Sequence, residues 1–336
     1  MNFSTVKYLL LFILSAILFS CEENPLEIDV SQVKVGLKVK RFEQQLFSYE
    51  KITDTEVNDL TSNFNPFYTA FVENIINVGK ADDPSNYYYL NSFIHDKNIL
   101  QVQADCDSLY ADFSIYEKQL IEAFKYYKYY FPNKTIPDII TYNSGFNYAI
   151  VTDSTYLGIG LEMFLGASYP AYKQLGLPQY KTRSMTNKHL TASAMLGWMA
   201  TEFELEEERA DLLTEMIHQG KLLYALDALM PQEEDSIKIS YSEVEMEWCD
   251  KNEKQVWFFF IDNNLLYTKE TKEIIKYMGE APFIQGFPDG SPGRVGHWIG
   301  WQIVKSYMKN NEKLTVADLF NEKNAQRILD ASKYKP

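Results

Sequence analysis

The chain has 336 residues, 46% of them hydrophobic and 15% aromatic, and a formal net charge of −14. That apolar content excludes a disordered protein and is enough for a large core. The acidic balance excludes a nucleic-acid partner, because holding phosphates needs a basic stripe that displaces counterions.

The amino terminus reads as an export signal. Lys7 is the positive charge of its n-region, and Tyr8 to Phe19 form an apolar segment shorter than the ~20 residues of a membrane-crossing helix. Leu18-Phe19-Ser20-Cys21 then matches a bacterial lipobox. The Cys21 thiolate accepts a diacylglycerol and the new amino terminus an acyl chain such as palmitate. Several chains together hold a protein on a membrane where one would not. Residues 1–20 are therefore read as a lipoprotein signal peptide, 21–27 as a tether and 28–336 as one α+β domain, mainly helical with a small mixed sheet. The other two cysteines, Cys106 and Cys249, lie far apart in sequence. An oxidising envelope would allow them to pair, and buried free thiols are the expected state.

Along the mature chain, Val33, Val35, Leu37 and Val39 alternate with polar residues, which predicts a half-buried strand. Helical composition runs from Asp54 to Gly79 and breaks at Pro66. Helical character resumes at Tyr87, and Cys106 to Phe131 is predicted to be one long helix that Pro132 ends. Ile136 to Tyr142 reads as a strand, and 148–151 with 156–160 as a hairpin. From Lys188 onward the pattern is almost entirely helical. Glu206-Glu-Glu-Arg209 suits a helix start, and Leu213, Ile217 and Tyr224 mark a buried stripe that ends at Pro231. Ser242 with Glu245 and Thr315 with Asp318 match capping boxes, and Ile274 to Met278 reads as a short helix. Pro292 fits the first turn of a helix in which Gly293, Gly296 and Gly300 recur. A glycine inside a helix costs about 1 kcal/mol against alanine, so the expectation is close packing, with a groove wall as the alternative.

No His-Glu-x-x-His, Gly-x-Ser-x-Gly or phosphate-binding loop occurs in the sequence. No catalytic residue, metal or cofactor is assigned. The polar residues that would line a cleft are Glu162, His189, Glu202, His218, Gln219, Arg294 and His297. Convergence of His189, Glu202, His218 and His297 would make a metal site, although closely paired ligands are missing. Glu162 with Asp153 or with Glu202 would make a glycosidase carboxylate pair.

Several motifs together resemble one family. They are the lipobox at Cys21, Tyr126-Tyr-Lys-Tyr-Tyr-Phe-Pro132, Tyr156-Leu-Gly-Ile-Gly-Leu-Glu-Met163, Met216-Ile-His-Gln-Gly-Lys221, Pro292-Gly-Arg-Val-Gly-His-Trp-Ile-Gly-Trp-Gln302 and Tyr334-Lys-Pro336. They resemble the GldB family of gliding-motility lipoproteins. The resemblance implies a non-catalytic, lipid-anchored envelope component required for gliding and tied to the type IX secretion machinery. Its partners would be the membrane, through the acyl chains on Cys21, and other gliding or secretion proteins of the envelope. The outer membrane facing the periplasm is favoured over the inner one. A weaker likeness is to zincin-type peptidases. A hairpin is followed by a helix that reads Leu190-Thr-Ala-Ser-Ala-Met-Leu196 where zinc ligands would stand, and Gln219 takes the place of a glutamate. On that likeness the fold is an inactive peptidase scaffold. The competing function is an envelope hydrolase, acting on peptide or glycan through an unrecognised site.

Overall fold

The computed structural model describes residues 24–206 and 210–336. The lipobox with Cys21 lies outside the described residues, as do three of the four residues of Glu206-Glu-Glu-Arg209. Four short strands make one mixed sheet: β1 (Val39–Arg41), β2 (Asp138–Tyr142), β3 (Ile150–Thr152) and β4 (Tyr156–Gly160). Their order is β1-β2-β4-β3. The first three in that order run parallel, with Ile139 opposite Val39 and Leu157, and β3 closes the edge antiparallel to β4. The predicted strand at 33–39 shrinks to three residues at its end. Only Val39 to Arg41 find a partner in β2, so the alternation before them marks a chain lying on the core.

Helices cover both faces of the sheet, because alternate residues of β2 and β4 point opposite ways. Ile139, Leu157 and Ile159 enter the larger core. Ile140, Tyr142 and Tyr156 enter a second core built by the amino-terminal helices. That second core holds α1 (Phe42–Leu46) and α2 (Asp54–Phe64), which starts at a capping box between Thr53 and Glu56. Phe42 meets Phe64 and Phe67 edge-on at 5.1 Å each. Each such pair adds about 0.5–1.5 kcal/mol beyond its buried area. The break at Pro66 falls where the sequence predicts it, and a separate short helix restarts at Phe67. Helices α3 (Tyr87–His95) and α4 (Lys97–Leu109) meet at Asp96, which caps α4 by accepting the N–H groups of Asn98 and Ile99. The long helix predicted from Cys106 is corrected. Cys106 belongs to α4, and a new helix α5 (Ser114–Tyr130) follows a turn. Tyr110 is buried in that turn, donating its hydroxyl to the Phe164 carbonyl at 2.9 Å.

In the larger core, α6 (Leu190–Glu202) packs on the hairpin. Next comes α7 (Leu212–Leu229), capped by Asp211. Both later capping boxes form: Ser242 with Glu245 begins α8 (Glu243–Asp262), and Thr315 with Asp318 begins a short helix at Val316. Between them lie α9 (Thr271–Met278) and α10 (Val295–Asn310). Pro292 is not in the first turn of α10. That helix begins after Arg294, whose φ of 55° turns the chain into it. Tyr224 is half-buried and flanks the stripe on α7 instead of lying on it.

The contact between α7 and α10 is the most extensive between any two helices of the described residues. The reason is the glycines. A Cβ added to Gly300 would lie 1.8 Å from the Met216 carbonyl oxygen, and one on Gly220 would lie 2.2 Å from that of Gly300. The two backbones touch, so the stripe is a packed interface. The groove-wall alternative for it is excluded, since Gly296, Trp298, Gly300 and Trp301 are all buried. Among the described residues no helix is long and apolar enough to cross a membrane.

Candidate functional site

Parallel strands point their carboxyl ends at one edge of a sheet, and in open α/β sheets ligands collect outside that edge. Here β2 is followed by the loop Asn143-Ser-Gly-Phe-Asn147, and β4 by Glu162. The Glu162 side chain is fully buried. Its Oε1 accepts the Ser144 N–H at 2.8 Å, the Ser144 hydroxyl at 2.7 Å and the Phe146 N–H at 3.2 Å, while Oε2 has no hydrogen-bond partner. Burial pushes the carboxyl up to about 7, against the opposing pull of the Ser144 hydrogen bonds. Gly160 is needed beside it, because a Cβ there would come within 2.3 Å of the Tyr148 carbonyl oxygen.

The carboxylate clamps a strained loop. Gly145 and Phe146 both have positive φ, 71° and 72°. For phenylalanine this is unfavourable by roughly 1–3 kcal/mol and persists only where surroundings enforce it. The Asn147 side chain donates to the Ser144 carbonyl at 2.8 Å, and Asn143 accepts from the Gly145 N–H at 3.1 Å. The result aims Phe146 at Tyr169 and Tyr172, with ring centroids 6.3 and 5.8 Å away.

Phe146 forms part of the wall of a groove of about 1370 Å³ between α3 and α4 on one side and residues 165–175 on the other. Aromatic rings of Tyr89, Phe93 and Tyr169 line it, with the carboxylates of Asp96 and Asp105. Asp105 Oδ2 accepts the Tyr169 hydroxyl at 2.7 Å, and Oδ1 accepts the Gln101 amide at 3.2 Å. No lysine, arginine or histidine lines the groove.

The cleft residues proposed from sequence do not meet there. Glu162 sits behind the loop. Glu202 ends α6, accepting the Tyr127 hydroxyl at 3.0 Å and pairing with Lys134 at 2.8 Å. His189 bonds Thr186 at 2.8 Å, and burial lowers its pKa. Arg294 donates to the Ile239 carbonyl at 3.0 Å and lies over Tyr241, 5.5 Å from its ring centre. His297 lies near Arg294 and His218. Burial, then Arg294, drives its imidazole down to about 3, and His218 adds to the effect. His218 falls to about 4 through burial and then the charges of Lys221 and Lys323, beside a cavity of about 140 Å³. Gln219 is half-buried next to it.

The carboxylate pairings are corrected by the same geometry. Asp153 stands at the start of β4, where its N–H bonds the Tyr156 carbonyl, and Glu162 stands past the far end. Thr201, next to Glu202, bonds Thr152, which pairs with Leu157 near the start of β4, the end away from Glu162. A five-residue strand spans roughly 15 Å, well beyond the roughly 5–9.5 Å of glycosidase pairs. Among the described residues no three of His, Cys, Asp and Glu gather as a metal site. Cys106 and Cys249 are both free and buried, so the disulfide alternative is also excluded.

Sequence reasoning missed Ser144, Phe146, Tyr169, Asp96 and Asp105. The signal for the first two was a turn-rich Asn-Ser-Gly-Phe-Asn segment directly after a strand. The others come from separate elements and carry no shared motif. A family model described as gliding motility protein GldB matches residues 23–336. No curated protein and no solved structure matches the chain, so the zincin likeness gains no support from the fold.

Proposed function

The chain belongs to the GldB family of gliding motility proteins, and from that premise we propose that it is a non-catalytic, lipid-anchored envelope component. It serves gliding and the linked type IX secretion machinery by holding a partner, attached through acyl chains on Cys21 and facing the periplasm from the outer membrane. One observation carries the non-catalytic part: Glu202 and His189 are tied into structural hydrogen bonds away from the groove of about 1370 Å³, which is lined by aromatic rings and carboxylates and by no lysine, arginine or histidine. The lipobox Leu18-Phe19-Ser20-Cys21 supports the anchoring.

The test is fractionation of cells that carry Cys21→Ser. The variant is expected to leave the membrane fraction after a salt wash while keeping the circular dichroism of the wild type. Sedimentation with membranes would overturn the acyl anchor. An envelope hydrolase is the second reading. It draws on the Ser144 hydroxyl 2.7 Å from Glu162, whose carboxyl is pushed up to about 7. Hydrolysis of casein or peptidoglycan that disappears in Ser144→Ala would favour it.

A further inference from the structure

Twice inside this protein an arginine is held between a carboxylate and an aromatic ring. Arg41 pairs with Glu43 at 2.6 Å and lies over Phe113 at 5.1 Å. Arg183 pairs with Glu245 and lies over Tyr241 at 5.8 Å. The guanidinium suits such places because it is planar, always charged and weakly hydrated, and it can face a ring while forking onto a carboxylate.

The groove presents the same combination without the arginine. Asp105 bonds the hydroxyl of Tyr169, whose ring neighbours Phe146, and Asp96 stands further along the same wall. A carboxylate offers about four lone-pair positions. Asp105 uses one on each oxygen for neighbours, which leaves acceptor capacity toward the groove. At about 1370 Å³ the groove exceeds the roughly 300–1,000 Å³ of small-molecule pockets. The groove therefore has room for a length of polymer, with apolar surface for Ile99, Leu109 and Leu175 and positive charge for the two aspartates.

We infer that the groove is a docking site for an extended peptide segment of a partner protein that carries arginine among apolar residues. This rests on the partner-holding reading above and names the chemistry of the partner. Arginine side chains face Asp105 and Asp96 between the rings, and the apolar residues between them cover Ile99 and Leu109. The clamped Phe146 loop keeps its ring on the wall before the peptide arrives, which lowers the ordering cost of binding.

The test uses the full-length protein in detergent and a fluorescent hexapeptide of alternating leucine and arginine, read by polarisation. We expect saturable binding, at least tenfold weaker for the peptide with citrulline in place of arginine, and tenfold weaker for Asp105→Asn. Glu247→Gln, on the exposed face of α8, controls for the overall negative charge and leaves binding unchanged. Phe146→Ala weakens binding as well, and its circular dichroism shows whether it is folded. The inference is overturned if the citrulline peptide binds equally, if Glu247→Gln costs as much as Asp105→Asn, if nothing binds, or if chitotetraose binds in place of the peptide. Mass spectrometry of the recovered peptide separates this from the reading on which it rests. A cleaved peptide would sink the non-catalytic role and leave the docking site standing.

Discussion

Gly300→Ala adds a single methyl group where the backbones of α7 and α10 touch. The new Cβ would sit 1.8 Å from the Met216 carbonyl oxygen and 2.5 Å from its carbon. Both atoms are backbone, so no rotamer change relieves the clash. Ordinary contact begins near 3.4 Å, so α7 and α10 must part by roughly 1.5 Å along a close-packed seam. Overpacking of this kind costs about 1–3 kcal/mol, with rigid backbone at the upper end. Alanine returns up to about 1 kcal/mol as the better helix former. The net expectation is a loss of about 2 kcal/mol, which lowers the melting temperature by roughly 4–8 °C. Urea unfolding followed by circular dichroism, on a soluble version lacking residues 1–21, measures it. Gly197→Ala is the internal comparison. Its Cβ would meet the Ile150 methyl at 2.6 Å, a side chain that can move, and the variant should stay within about 1 kcal/mol of wild type. A Gly300→Ala protein as stable as wild type would refute the backbone contact between these helices.

Glu162 carries a pH signature. Its carboxyl is raised in the folded protein to about 7, so the folded state holds the proton more tightly than the unfolded one. The stability this gives is full below about pH 4.5 and is lost as pH rises through 7, a swing of about 3 kcal/mol. Glu162→Gln should flatten that part of the stability–pH curve, and an unchanged slope would place the titration elsewhere. Lys238 is 4% exposed and holds Asp227 at 2.9 Å. Lys238→Ala should cost about 3 kcal/mol, the lower end for a broken buried pair, because Lys305 at 3.9 Å and the Trp301 indole still face Asp227. Chemical unfolding would show it, and a loss under about 1 kcal/mol would mean that those two groups suffice. Burial pushes both the Cys106 and Cys249 thiols well up. Ellman's reagent should therefore react with them only after denaturation, and fast labelling of the native protein would contradict their burial.

Periodicity carried much of the fold because it records local geometry. The hairpin 150–160, the break at Pro66, the boxes at Ser242 and Thr315 and the glycine stripe of α10 each follow from residues within a turn or two of one another. The errors fall where a distant partner overrides the local pattern. Val33 to Leu37 alternate like a strand, yet on that side β2 takes up only Val39 to Arg41. The aromatic run from Cys106 looks continuous, yet burial of Tyr110 against Phe164 turns the chain. The groove was illegible for the same reason. Its wall draws on α3, α4, a loop after β2 and the segment after Glu162, with lining residues from Val78 to Leu175. Nothing in the spacing of Asp105, Phe146 and Tyr169 announces that they meet. Side-chain chemistry alone points to residues such as Glu202 and Arg294, which folding consumes in hydrogen bonds. Whether a carboxylate is spent inside the fold or left facing a groove depends on what stands opposite it, and that neighbour is supplied by chain closure over long distances.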